Sequence, residues 1–233
     1  MSSLKSFVRR WPTLYSLLQR VYWSFRRFLE LHVLGTKLQE WIWSANRGKD
    51  YASEGWKSIS HLHRKFLLDK ISSYSPFENI LEIGCNVGPN LYLFSKKFPH
   101  VKHYGIDINS KAIEEGRKHF EEEGISNVSL AVGRADRLAS FSDKSIDIVF
   151  TDAVLMYVGP EKICRVISEI VRIARKAVIF NEWHNSINSK RCFYHYGHWV
   201  YDYVYLLSEY VSIDSVKKTK IPKAAASSAP TCL

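Results

Sequence analysis

Paired cysteines, long apolar runs and a third loop glycine are what this 233-residue chain lacks. Its four cysteines, at 85, 164, 192 and 232, form no C-x-x-C and no histidine-paired zinc spacing. A disulfide framework and a structural metal are therefore not expected, and a reducing cytoplasm is the matching compartment. No uncharged apolar stretch approaches the roughly 18–20 residues that span a bilayer. Arg, Pro and Gln interrupt the N-terminal apolar residues, so no secretory leader is expected either.

Acids are scarce at both ends. Residues 1–50 hold nine Lys/Arg against Glu30, Glu40 and Asp50, net +6, and residues 217–233 hold four lysines and no acid. With +10 in total, residues 51–216 carry no net charge. A neutral core argues against a broad nucleic-acid groove around the site, so a nucleic-acid partner is not expected there.

The most informative stretch begins at Asn79. Ile80, Leu81 and Ile83 read as a buried parallel strand, Gly84 and Gly88 as a tight turn, and Pro89 as the first residue of a helix running to about 98. A second apolar run ends at Asp107, nineteen residues after Gly88. An acid there, at the tip of the second strand of a βαβ unit, is where a nucleoside site places its ribose ligand. The dinucleotide pattern G-x-G-x-x-G fails at its second and third glycines, where Asn86 and Pro89 stand, and no G-K-[ST] follows. This disfavours NAD, FAD and a phosphate loop, and leaves another adenosine-containing cofactor.

Glu82, Gly84 and Gly88 together resemble motif I of the class I, Rossmann-like S-adenosylmethionine-dependent methyltransferases, and the resemblance runs from about 79 to 184. It departs at Asn86, where the family usually has glycine; Asn tolerates positive φ, so the turn is expected to survive. The resemblance implies S-adenosylmethionine as cofactor. It assigns to that cofactor Glu82, Gly84, Cys85, Asn86, Gly88, Asp107, Ile108, Ala135, Asp136 and Thr151, with Arg134 standing where the adenine-reading acid is most often found. Asp152, Tyr157 and His184 are the implied catalytic candidates. Tyr51, Trp56, Arg64, His195, His198 and Trp199 are candidates for the acceptor pocket. His61 and His63, two apart, are expected on different faces of a helix, as surface or packing histidines rather than a metal pair.

Strands are expected at 128–132, 145–150, 177–180 and 212–221, with a helix over 161–174 and another over about 200–210. The order predicts an α/β, doubly wound, mainly parallel sheet of six strands with helices on both faces. The seventh strand the family carries is either missing or supplied from elsewhere. Residues 1–55 read as an amphipathic helical extension or lid, 56–222 as the Rossmann-like domain, and 223–233 as a disordered tail. The helix over 13–33 puts Leu14, Leu17, Leu18, Val21, Tyr22, Phe25, Phe28 and Leu29 on one side, opposite Arg20 and Arg27. Docking over the pocket and contact with an anionic membrane surface are both open to it.

The implied activity is O- or N-methylation of a small-molecule or lipid- or sugar-linked acceptor. The alternatives are an RNA or protein methyltransferase and a non-catalytic cofactor-binding partner subunit. An amine-methylating N-P-P-Y motif is absent after the fourth strand, where 151–154 reads Thr-Asp-Ala-Val. Oligomeric state is open.

Overall fold

A computed structural model of the chain describes residues 12–29, 33, 35–45, 54–185, 191–195 and 197–221. Five parallel strands form its centre: β1 (Asn79–Ile83), β2 (Lys102–Asp107), β3 (Val128–Val132), β4 (Ile146–Asp152) and β5 (Ala174–Asn181), in the order β3-β2-β1-β4-β5. β4 is central and almost wholly buried, whereas β3 lies at an edge and leaves Val132 56% exposed. Central strands of a parallel sheet are covered on both faces, which is why β1 and β4 read as continuous apolar runs.

Two helices precede the sheet, α1 (Pro12–Leu29) and α2 (Thr36–Ala45), and a third, α3 (Leu62–Ser72), leads into β1. The crossovers are α4 (Pro89–Lys97), α5 (Ser110–Glu122) and α6 (Pro160–Ile173). In α6, Ile163, Val166, Ile167, Ile170 and Ile173 recur at helical spacing, and all five are buried. At ~1.5–3 kcal/mol for each large apolar side chain removed from water, this stripe is a major part of what holds the sheet's second face.

Among the described residues the sheet has five strands, not six. Residues 212–221 pair with nothing; Ile213–Ser215 instead forms a single 3-10 turn closed by Ser215 N–H to Ser212 O. Ile213 is 59% exposed, and Lys217, Lys218 and Lys220 crowd the remainder. Such a segment offers no alternating apolar face to bury, and lysines are a common guard against edge pairing. The expected helix over 200–210 is also shorter. A hairpin, β6 (Cys192–His195) with β7 (His198–Tyr201), takes up its beginning, and α7 covers only Tyr203–Leu207. The tail at 223–233 lies outside the described residues.

α1 and α2 behave differently. α2 buries Thr36 and Gln39 against the domain, while every described residue of α1 from 14 to 22 is exposed.

Candidate active site

β1 ends in a turn whose backbone is forced left-handed three times: Gly84 at φ +76°, Asn86 at +53° and Gly88 at +88°. A Cβ on Gly84 would lie 2.3 Å from Val154 Cγ2, so no larger residue fits there. The Gly84 and Cys85 N–H groups both donate to Ile106 O, at 2.8 and 3.0 Å, which ties the turn to β2. Asp107, at the tip of β2, completes the tie. Its Oδ2 accepts from Asn86 N–H and its Oδ1 from Asn109 N–H, each at 2.8 Å. Burial pushes the Asp107 carboxyl up from the usual range, opposed by the N–H groups of Asn109, Asn86 and Ile108.

Beside this turn lies a largely apolar cavity of about 120 Å³, lined by Gly84, Asp107, Ile108, Ala135, Asp136 and Tyr157 among others. α2 roofs it through Thr36, Gln39, Glu40 and Trp43. Three contacts fix the roof. Gly159 N–H donates to Thr36 Oγ1 at 2.7 Å, Asn109 Nδ2 donates to Trp43 O at 3.0 Å, and the Trp43 and Tyr157 rings meet edge-on at 4.6 Å. Thr36 N–H also donates to the Glu161 carboxylate. Glu40 then bridges Arg134 (2.6 Å) and Lys162 (2.5 Å), and Arg134 also reaches Asp136 at 3.1 Å. Burial alone would raise Asp136; Arg134 and Lys162 outweigh it and hold the carboxyl below its usual value. Small-molecule sites are usually ~300–1,000 Å³, so the space under α2 is narrow for one.

At the same strand ends sits a buried polar cluster built on Asn90, in the first turn of α4. Its Nδ2 donates to Glu82 Oε1 (2.6 Å) and Asp152 Oδ2 (3.0 Å), and its Oδ1 accepts from Arg64 Nη1 (2.7 Å). Asp152 also accepts from Asn181 Nδ2 at 2.7 Å and lies 3.4 Å from His63 Nε2. His63 Nδ1 is in turn 2.8 Å from His61 Nδ1. The two acids are driven apart. Burial pushes Glu82 well above the carboxylate range, and the Asn90 hydrogen bond does not offset it. Burial would also raise Asp152, but His63, Asn90 and Arg64 together hold it low. The two neighbouring carboxyls are thus shifted in opposite directions, one by burial and the other by its partners.

Residues 80–177 match a family described as the methyltransferase domain. Over those residues the chain is similar to methyltransferase domains. The cofactor that the motif around Gly84 leads one to expect is S-adenosylmethionine. The chain is 26% identical over 123 residues to the tRNA N(3)-cytidine methyltransferase METTL6 of Homo sapiens, covering 49% of this chain and 43% of that protein. It is 38% identical over 73 residues to the aklanonic acid methyltransferase DauC of Streptomyces sp. strain C5, covering 31% and 33%. A crystal structure of a SAM-dependent methyltransferase from Aquifex aeolicus aligns with a TM-score of 0.46 and 18% identity, over 57% of this chain and 70% of that one. The chain spans about half the length, or less, of the curated relatives it matches.

The residues present in the methyltransferase domain fit that cofactor. Glu82 Oε2 and Asn86 Oδ1 are buried acceptors without a hydrogen-bond partner, and the Arg64 guanidinium interacts electrostatically with Glu82. An amino acid moiety brings an ammonium donor for such acceptors and a carboxylate for an arginine. Arg64 is thus the one expected pocket residue inside the polar cluster, where it also donates to Ser58 O and Ser58 Oγ.

The remaining candidates are spread more widely than the sequence suggests. Ile108 and Ala135 line the cavity; Cys85 and Thr151 are buried, with the Cys85 thiol pushed well up by burial. Asp152, Tyr157 and His184 do not form one constellation. Asp152 is in the polar cluster, and Tyr157 is a wall of the cavity under Trp43. His184 faces a groove along β5, where its Nδ1 accepts from Tyr203 N–H at 3.3 Å. Trp56 packs on His119, with centroids 3.9 Å apart. His195 is exposed on the hairpin, the His198 ring lies 5.2 Å from Tyr157, and Trp199 is buried in the core against Tyr194. Tyr51 lies outside the described residues.

Sequence reasoning passed over Asn90, Asn181 and Glu40. It also set His61 and His63 apart, wrongly. His61 is the N-cap of α3, with extended backbone and a side chain that accepts from His63 N–H, so helical spacing does not govern where its ring points. The signal for Asn90 was a polar residue in a helix's first turn beside an acid-bearing strand end.

Two buried groups of the domain set opposing pH dependences. Burial lowers His103, on β2, from the usual 6.5 to about 4. Between those values the unfolded chain takes up a proton that the folded chain refuses, so stability falls as pH drops through the window, by ~3 kcal/mol. The Glu182 carboxyl, accepting from Val154 and Leu155 N–H, is raised by burial from the usual 4.5 to about 7. There the folded chain keeps a proton that the unfolded chain has shed, so stability falls as pH rises from 4.5 to about 7, again by ~3 kcal/mol. The two trends oppose each other. Glu182→Gln removes the second contribution, so its urea midpoint is expected to rise relative to that of the native chain between about pH 4.5 and 7. A difference between the two midpoints that does not vary with pH would show the assignment to be wrong.

Proposed function

We propose that this methyltransferase domain methylates a hydroxyl or amine of a small-molecule or lipid- or sugar-linked acceptor, with Asp152 and the His61–His63 pair managing the acceptor's proton. The observation that carries the proposal is the run Asp152–His63–His61 at the carboxyl ends of the strands, where ligands of such sheets bind. The cofactor supplies an electrophilic methyl group on a sulfonium, already activated for displacement. The chain contributes position, dryness and a proton acceptor. A proton entering the histidine pair makes one ring cationic, and the ionised Asp152 beside His63 Nε2 stabilises that cation. Asn90 and Asn181 hold the carboxylate in place for this task.

The absence of net charge over residues 51–216 supports a small acceptor rather than a nucleic-acid duplex. An RNA acceptor is the second reading, favoured by the groove along β5, where Lys70, Lys144, Arg175, Lys176, Lys217 and Lys218 gather. Arg175 and Lys176 are already matched by the buried Asp147, at 2.7 and 3.5 Å, which leaves fewer cations for phosphate. Transfer of labelled methyl to a small-molecule and lipid extract, to bulk RNA and to bulk protein separates the readings. Label in the first pool is expected. Label in RNA or protein alone would replace it, and tight cofactor binding with no transfer would point to a non-catalytic subunit.

A further inference from the structure

We propose that α1 is a docking helix that lies flat in the interface of an anionic lipid bilayer. Leu14, Leu17, Leu18, Val21, Tyr22 and Phe25 recur at three- and four-residue spacing, so they share one side of the helix, and they are 44–62% exposed. The domain shows what it does with such a stripe elsewhere: α6 buries five of its six large apolar positions, all but Val171. A contiguous apolar band left in water marks a surface that is covered in use.

Charge identifies what covers it. Residues 1–29 contain Lys5, Arg9, Arg10, Arg20, Arg26 and Arg27 and no acid. The same residues hold seven aromatics, from Phe7 and Trp11 to Phe28. Basic residues with interleaved aromatics suit negatively charged headgroups over an acyl boundary. The apolar arc is wider than a two-stranded coiled-coil seam, which disfavours a second copy of the helix as the cover. Eighteen residues make a helix of about 27 Å, and no helix of the described residues is long and apolar enough to cross a membrane. The helix therefore lies on the bilayer. It precedes the roof helix α2 by six residues, so docking places the cavity mouth near the lipid surface.

Flotation of the full chain with phosphatidylcholine vesicles, with and without phosphatidylglycerol, tests this without reference to methyl transfer. Binding is expected only with the anionic lipid, and salt is expected to weaken it. Leu17→Glu with Val21→Glu is expected to weaken binding by roughly tenfold or more, and Arg20→Gln, Arg26→Gln and Arg27→Gln together to do the same. Leu17 and Val21 are exposed, so an unchanged thermal melt is the control for folding. Absence of native flotation, flotation that the glutamate pair does not alter, or a lipid-free dimer that the pair dissociates would each overturn the proposal. None of these results bears on the methyl-transfer reading, which rests on other residues.

Discussion

Replacing Asp107 with alanine is expected to weaken binding of S-adenosylmethionine by ~10²–10⁴-fold. Each oxygen of the carboxylate already accepts one backbone N–H, from Asn86 or Asn109, and each has a second lone pair for a ribose hydroxyl. Hydrogen bonds to a charged acceptor are worth ~1.5–3 kcal/mol apiece, and each 1.4 kcal/mol is tenfold, so two of them span that range. Alanine also leaves the Asn86 N–H unsatisfied, which loosens the turn that Gly84 and Gly88 shape. Asp107→Asn keeps one acceptor and turns the other into a donor facing an N–H, so it is expected to fall between the native chain and alanine. Isothermal titration, with a thermal melt to monitor folding, is the measurement. An unchanged dissociation constant in a folded alanine variant would remove Asp107 from the cofactor site.

His63→Asn is expected to slow methyl transfer by ~10²–10⁴-fold, the usual contribution of a positioned proton acceptor, with no change in cofactor affinity. The split matters because His63 sits in a cluster with Arg64 and Asn90, and a merely structural histidine would disturb binding and rate together. His63 is 17% exposed and its Nε2 lies 3.4 Å from Asp152. The charged ring is therefore supported inside the site, where a proton gained from the acceptor has low cost. His61→Asn should lose less, since His61 reaches Asp152 only through His63. If rate and cofactor affinity fall in step in His63→Asn, the proton role is disproved.

Much of this domain could be read from the chain alone. Short apolar runs followed by Gly84 and Gly88, or by Asp107, place β1, β2 and the turn between them, because strand burial and left-handed backbone are local demands on residue type. The stripe of α6 declared itself for the same reason. Asn86 adopts positive φ, at +53°, as its residue type allows. The cofactor loop was legible because its chemistry is mostly backbone.

Other features depended on residues far apart in sequence. Asn90 joins Glu82 to Asp152, 62 residues away from it, and Glu40 meets Arg134 across 94. No spacing rule relates such partners; only the sheet order brings them together. The opposed shifts of Glu82 and Asp152 likewise follow from burial and neighbours, which residue type does not encode. Which of two amphipathic helices roofs the cavity was also a tertiary outcome. The stripe of α1 was plain in the sequence, but a stripe states only that a face seeks cover. Contacts from Thr36 and Trp43 put α2 over the site, while the apolar side of α1 stays exposed. Sequence by itself determined the five strands of the central sheet and the turn after the first, since each rests on local geometry. Tertiary structure decided the polar cluster, the histidine pair and the roof, since each requires side chains that only the folded sheet makes neighbours.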